Sequence, residues 1–120
     1  MTLALIITGA SLFAQHEGSI INLKPQEFKA EIQAAHVQLI DVRTPEEFDE
    51  GHIVGAKNVD YKSNDFLMEI DRLDRERPVY IYCRSGNRSS NAAKELYQMG
   101  FLKIYNLEGG YLSWQKKLKE

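Results

Sequence analysis

The chain has 120 residues, of which 43% are hydrophobic and 27% charged, with a formal net charge of -2; this describes one soluble globular domain and argues against extensive disorder and a membrane bundle. Acidic and basic residues are mixed along the chain, so there is no clustered basic face for nucleic acid. A single cysteine, Cys83, excludes an internal disulfide, a Cys-x-x-Cys redox pair and a cysteine metal cluster, and His16, His36 and His52 show no ligand spacing, so no metal or cofactor is expected.

Leu3 to Ala14 is an apolar run that changes abruptly to the polar Gln15-His16-Glu17-Gly18. It is shorter than the roughly 20 apolar residues of a bilayer span. Its length and the small Ala14 at the switch match the h-region and cleavage site of a secretory signal peptide, although no Lys or Arg precedes it and Leu12 is large for its place. Residues 1–14 are therefore expected to be a signal peptide and residues 15–120 the folded domain, working in the periplasm or secreted. A first strand or helix of a cytoplasmic domain is the alternative.

The remaining chain alternates strand and helix signals. Ile20 to Leu23 is a short strand, and Pro25 at a first helical position opens a helix over Gln26 to Ala35, with Phe28 and Ile32 on one face. Val37 to Val42 is a compact apolar run of the kind that forms a buried parallel strand. Thr44, Pro45 and Glu47 then spell a capping box, predicting a short helix to about Glu50 that stops at Gly51. His52 to Val59 is a weaker extended segment interrupted by Gly55. Ser63 or Asn64 is expected to cap a helix through about Leu73, with Phe66, Leu67, Ile70 and Leu73 on one face.

After Pro78, Val79-Tyr80-Ile81-Tyr82 is the strongest strand signal, β-branched and aromatic throughout. A helix from about Arg88 to Met99 follows, with Ala92, Ala93 and Leu96 inward and Gly100 closing it. Phe101 to Leu107 is a last strand, Glu108-Gly109-Gly110 a turn, and Tyr111 to Lys119 an amphipathic helix carrying Trp114. This alternation asks for an α/β fold with a mostly parallel sheet and helices on both faces. Ligands of such sheets bind where strand feeds helix, which is where Cys83 falls.

The stretch Cys83-Arg84-Ser85-Gly86-Asn87-Arg88-Ser89 reads as an anion cradle. A cysteine before a helix start faces unpaired backbone N–H groups and the positive helix end, which stabilise a thiolate. Gly86 allows the backbone to curl toward a ligand, and Arg84 and Arg88 add positive charge that lowers the thiol pKa and attracts an anion. Ser85, Asn87 and Ser89 can hydrogen-bond the cradle or cap the helix. The expected product is a stable, accessible thiolate that needs no histidine base.

The chain resembles the single-domain rhodaneses, the thiosulfate sulfurtransferase family, in three places. Leu39 to Phe48 with Gly51 to Asn58 is similar to the family's N-terminal signature, Tyr82 to Ser89 to its active-site loop, and Leu107 to Trp114 to its C-terminal signature. The resemblance implies a rhodanese-like three-layer fold, with a five-stranded parallel sheet between helices. It also implies transfer of sulfane sulfur through a Cys83 persulfide, from an anionic donor such as thiosulfate to a thiol, a protein thiol or cyanide. Arg84 and Arg88 are then candidates for the donor's sulfonate oxygens, within a substrate-binding loop of Arg84, Ser85, Gly86, Asn87, Arg88 and Ser89. A monomer is expected. Asp41, Arg43 and His52 read as structural, and Trp114 as core packing.

The rivals are a cysteine-dependent phosphatase or arsenate reductase and a non-enzymatic persulfide carrier or sensor. Tyrosine phosphatases carry Cys-x5-Arg, whereas here Ser89 stands six after Cys83 and the arginine is one place early. The shorter loop suits sulfur better than phosphate.

Overall fold

A computed structural model of the chain describes residues 18–34 and 37–118. The expected signal peptide, residues 1–14, lies outside them. Within the described residues the elements are β1 (Ser19–Leu23), α1 (Pro25–Glu31), β2 (Gln38–Asp41), α2 (Pro45–Asp49), β3 (Lys57–Asn58), α3 (Phe66–Asp71), β4 (Val79–Tyr82), α4 (Asn87–Gln98), β5 (Lys103–Leu107) and α5 (Gly110–Lys117). The five strands form one sheet in the order β1-β5-β4-β2-β3, and every pairing is parallel.

The strand pleat sorts the core into two layers, because successive side chains point to opposite faces. Ile40, Val79, Ile81 and Ile104 meet Phe66 and Ile70 of α3 and Ala92, Ala93 and Leu96 of α4. On the other face Leu39, Tyr80, Tyr82 and Leu107 meet Phe28 of α1, with Tyr111 and Trp114 of α5 packed against them. Each large side chain so buried contributes about 1.5–3 kcal/mol of apolar transfer. All four residues of β4 are buried, since it lies between β5 and β2 under helices on both sides.

Local signals set most boundaries. Thr44 caps α2 through the expected box: its side chain accepts from Glu47 N–H while Glu47 accepts from Thr44 N–H. α4 ends at a left-handed Gly100, with Phe101 N–H donating to Leu96 O at 3.1 Å and Gly100 N–H to Tyr97 O at 3.1 Å. That paired pattern satisfies the last carbonyls of the helix.

Several elements differ from expectation. α1 stops at Glu31 rather than Ala35, its end tightening into a turn in which Ala34 N–H donates to Glu31 O. The segment from His52 to Val59 yields only the two residues of β3, because Ala56 N–H turns back to Ile53 O around a left-handed Gly55. α3 is capped at Asp65 without a side-chain bond, neither Ser63 nor Asn64 taking that place. Ser63 Oγ instead accepts from Asp65 N–H at 3.0 Å. Phe66 and Ile70 fix the buried face of α3, which leaves Leu67 half exposed instead of inward.

Candidate active site

β4 carries Cys83 to the carboxyl edge of the sheet, and the chain turns there into α4. Gly86, at φ +113°, is the helix N-cap, so α4 begins at Asn87, one residue before the expected start. This left-handed corner is open to glycine at little cost. It aims the first helical N–H groups back at the sulfur. Gly86 N–H donates to Cys83 Sγ at 3.1 Å, and the Ser89 hydroxyl lies 3.3 Å from the same sulfur. Burial pushes the Cys83 thiol up; the hydrogen bonds from the Ser89 hydroxyl and from the backbone N–H groups of Ser89, Gly86 and Ser85 outweigh it and set the thiol below its ordinary value.

One expectation about this thiol fails. Cys83 is 1% exposed, so the thiolate is stabilised but not accessible in this conformation. The reason is packing: Cys83 belongs to the apolar cluster of Ile81, Ala92, Ala93 and Leu96 on the α3–α4 side of the sheet, and Ser89 beside it is fully buried. Ser85 and Asn87 are exposed on the outer turn and Gly86 is half-buried.

The two arginines of the loop are placed differently. Arg88, in the first turn of α4, is turned to Glu47 of α2, with Nη1 to Oε1 at 2.8 Å and Nη2 to Oε2 at 3.0 Å. Glu47 Oε1 also accepts from Thr44 N–H and Oγ1, at 3.0 and 3.1 Å. The Arg88 guanidinium above all, against the cost of burial and helped by Thr44, holds the Glu47 carboxyl at about 2. The charge that Arg88 was expected to present to the thiol is thus compensated. Arg84 is exposed and forms no ion pair among the described residues.

Beneath the loop lies a buried charge network. Asp41, wholly buried at the end of β2, accepts from Arg43 Nη2 at 2.7 Å and from Arg43 Nε at 3.1 Å. Arg43 Nη2 also donates to Gly51 O at 2.7 Å, and its guanidinium stacks over Tyr111 with Cζ 4.5 Å from the ring centroid. Burial foremost, and a hydrogen bond to Asp41, push the Tyr82 hydroxyl well above its ordinary range, so it remains a neutral donor. Asn58 Nδ2 ties the strand end down by donating to Asp41 O and Arg43 O at 3.0 and 2.9 Å. His52 stacks on Phe48 at 3.6 Å with Nδ1 2.8 Å from Phe48 O, at the end of α2. Trp114 packs on the α1 face, edge-on to Phe28. Asp41, Arg43, His52 and Trp114 all occupy the structural places read for them.

Sequence reasoning missed the part played by the second strand–helix junction. Gly109 is the left-handed N-cap of α5 and Gly110 follows at φ +63°. The first helical N–H groups of α5 point at the Cys83 loop: Tyr111 N–H donates to Cys83 O at 2.8 Å and Leu112 N–H to Arg84 O at 3.0 Å. A Cβ on Gly110 would stand 2.5 Å from the carbonyl carbon and oxygen of Arg84. The doubled glycine was the available signal; what it fits against lies elsewhere in the chain.

A cavity of about 240 Å³ opens beside this loop, lined by Arg43, Arg84, Glu50, Tyr111, Leu112 and Gln115 among others. A larger one, of about 520 Å³, lies between the β1–α1 and β5–α5 turns and is lined by none of residues 83–89. Among the described residues no cluster of His, Cys, Asp and Glu could hold a metal ion, and no helix is long and apolar enough to cross a membrane.

The model of the rhodanese-like domain matches residues 24–117. The chain is 37% identical over 116 residues to the uncharacterized protein YqhL of Bacillus subtilis, covering 97% of this chain and 89% of that one. It is 38% identical over 85 residues to the thiosulfate sulfurtransferase GlpE of Shewanella oneidensis, covering 70% and 81%. Among solved structures it is similar to a rhodanese-related protein of Thermoplasma volcanium, with a TM-score of 0.71 at 28% identity over 81% of this chain and 92% of the other.

Proposed function

The chain belongs to the rhodanese-like domain family, and from that premise we propose that it is a sulfurtransferase in which Cys83 carries sulfane sulfur from thiosulfate, or a similar anionic donor, to a thiol or cyanide. One observation carries the reading: the Cys83 sulfur sits under the Ser89 hydroxyl and the backbone N–H groups of Ser85, Gly86 and Ser89, with a thiol set below its ordinary value.

In the first step the Cys83 thiolate attacks the outer sulfur of thiosulfate. The new Cys83 S–S bond forms as the donor's S–S bond breaks, and sulfite leaves with the bonding electron pair. The cysteine persulfide keeps the single negative charge that the thiolate had. The outer sulfur of that persulfide then falls within the same ring of donors, which are fixed before reaction and need no reorganisation. In the second step cyanide or an acceptor thiolate attacks the outer sulfur, and Cys83 departs as thiolate. No proton needs to be moved at Cys83 in either step, which fits a site built from donors rather than around a base. The Arg84–Ser89 loop is the substrate-binding segment in this reading. Burial of Cys83 means that the loop must yield as the donor enters.

A phosphatase reading is disfavoured by Arg88. An arginine that serves a phosphoryl group must turn its fork to the oxyanion, and here the fork is occupied by Glu47. Incubation with thiosulfate should add the mass of one sulfur at Cys83, and cyanide should then release thiocyanate. Phosphatase turnover without a sulfur adduct would overturn the proposal, and an adduct that no acceptor can discharge would leave a persulfide carrier in place of an enzyme. The proposal extends to a monomeric protein acting in the periplasm after loss of residues 1–14. N-terminal sequencing of the protein from its native host tests that part: a soluble cytoplasmic form that retains Met1 to Ala14 ends it.

A further inference from the structure

We propose that Asn106, a buried amide of β5, is a positioning residue for the thiolate cradle: it holds the first turn of α4 through Ser90 and so keeps the Ser89 and Gly86 donors on the Cys83 sulfur. Its bearing on sulfur transfer rests on the sulfurtransferase reading and goes beyond it, because the Asn106 amide bonds to nothing in residues 83–89.

Among the described residues, the buried polar side chains are Asp41, Arg43, Ser89 and Asn106. Asp41 and Arg43 pair with each other, and Ser89 meets the sulfur. Asn106 is 4% exposed, in a strand whose other buried residues are Ile104 and Leu107. Parallel pairing sets it beside Ile81 of β4 and Asn22 of β1. Ile81 and Cys83, two residues apart, belong to the same layer of the core. The Asn106 Nδ2 donates to Asn22 Oδ1 at 3.1 Å and to Ser90 Oγ at 3.3 Å, while its Oδ1 meets no donor among the described residues. A buried amide left partly unsatisfied is a net cost against an apolar side chain of the same shape. Packing of the core therefore does not account for an asparagine here.

Its bond to Ser90 does. Successive residues in the first turn of α4 straddle two strands: Ser89 meets Cys83 at the end of β4, and Ser90 meets Asn106 on β5. Ser90 N–H closes the same turn by donating to Gly86 O at 3.0 Å, and Gly86 N–H is the donor to the sulfur at 3.1 Å. Further along, α4 seats on the sheet through Ala92, Ala93 and Leu96. That contact is apolar and non-directional, so it resists separation better than sliding or rolling. A hydrogen bond has a direction, and the one from Asn106 fixes where on the sheet the turn rests. The charged groups around the loop are arranged without it. Arg88 of α4 pairs with Glu47 of α2, Arg43 pairs with Asp41 at the end of β2, and Arg84 is exposed. The Arg88 pair ties the turn to another helix; the Ser90 bond ties it to the sheet that carries Cys83.

The test is an ultraviolet titration of the Cys83 thiolate, each protein read against its own Cys83→Ser blank to remove the tyrosine background. It needs no reagent to reach the buried sulfur. Asn106→Leu keeps the branching of the side chain and leaves Asn22 and Ser90, both exposed, to water. It should hold or raise the melting temperature and yet move the thiolate midpoint to higher pH, as the donors drift from the sulfur. A merely structural residue would change the melting temperature and not the midpoint, so the midpoint decides. Ser90→Ala cuts the same bond from an exposed position and should move the midpoint the same way. Ser90→Thr keeps the hydroxyl and should leave it in place. With Asn106→Leu and Ser90→Ala combined, the shift should equal that of the larger single change, since both remove one contact. An unmoved midpoint in Ser90→Ala, a shift in Asn106→Leu that Ser90→Ala does not share, or shifts that add would overturn the proposal. If Asn106→Leu does not fold, the two Ser90 variants settle the matter. No readout needs sulfur transfer, so an unmoved midpoint counts against Asn106 alone, while failure to form the Cys83 sulfur adduct counts against the sulfurtransferase reading alone.

Discussion

The β4–α4 and β5–α5 junctions are built alike and used differently. Both turn from strand to helix at a left-handed glycine N-cap, Gly86 in one and Gly109 in the other. Both therefore offer a helix start whose first N–H groups lack helical partners. At β4–α4 those donors converge on the Cys83 sulfur. At β5–α5 they converge on the carbonyls of Cys83 and Arg84. The first junction stabilises a charge; the second holds the first in shape. One helix start can thus serve as scaffold for another, and the preorganisation of the thiolate cradle depends on a junction that never touches the sulfur.

The comparison breaks most severely at Gly110. Gly110→Ala sets a Cβ 2.5 Å from the Arg84 backbone at a positive φ, and should cost about 3 kcal/mol or more, because a backbone rather than a flexible side chain must move. Thermal or urea unfolding measures it, and loss of the Cys83 sulfur adduct should accompany the loss of stability. Gly86→Ala is the contrasting change: φ is again positive, yet the nearest atom to the new Cβ is Gly109 N at 3.9 Å. Its cost should be about 1 kcal/mol, the backbone term alone, which makes it the smallest effect of the set.

Between these extremes stand two changes that act only on the first junction. Glu47→Gln keeps an acceptor for Thr44 but leaves Arg88 without its counter-charge, for an expected loss of about 1–2 kcal/mol at neutral pH in this half-buried setting. The Glu47 carboxyl lies near 4.5 when unfolded and at about 2 in the fold. A lowered folded value means that its stabilisation is complete above pH 4.5 and vanishes as the pH falls toward 2. Acid titration of stability should accordingly be flatter over that window in Glu47→Gln than in the wild type. Ser89→Ala removes the hydroxyl beside the sulfur and should raise the thiol pKa. The midpoint of iodoacetamide alkylation against pH reports it; an unmoved midpoint would mean that the backbone donors alone set the thiolate.

What was legible in the sequence was what short range decides. The capping box of Thr44 and Glu47, the closing turn at Gly100 and the buried run of β4 each depend on neighbours a few residues away, and each stands where the pattern put it. The Cys83 loop was legible from its polar, glycine-bearing stretch between a strand and a helix together with its resemblance to a family's active-site loop. The expected cap of α3 and the inward Leu67 failed for a different reason: two residue types suited the cap equally, and packing of Phe66 and Ile70 on the sheet chose the face.

The sequence alone determined the order of strands and helices, the position of the only thiol at a strand end, and the glycines that let the chain turn there, because all of these follow from local backbone preference and hydrophobic period. Only the tertiary structure decided what those pieces meet. Glu47 and Arg88 belong to different strand–helix units and pair only because β2 and β4 are neighbours in the sheet. Gly110 is required only because α5 begins against the carbonyls of Cys83 and Arg84. The burial of Cys83 and the compensation of Arg88 are of the same kind. They are consequences of which surfaces the parallel sheet brings together, a three-dimensional fact that no spacing along the chain contains.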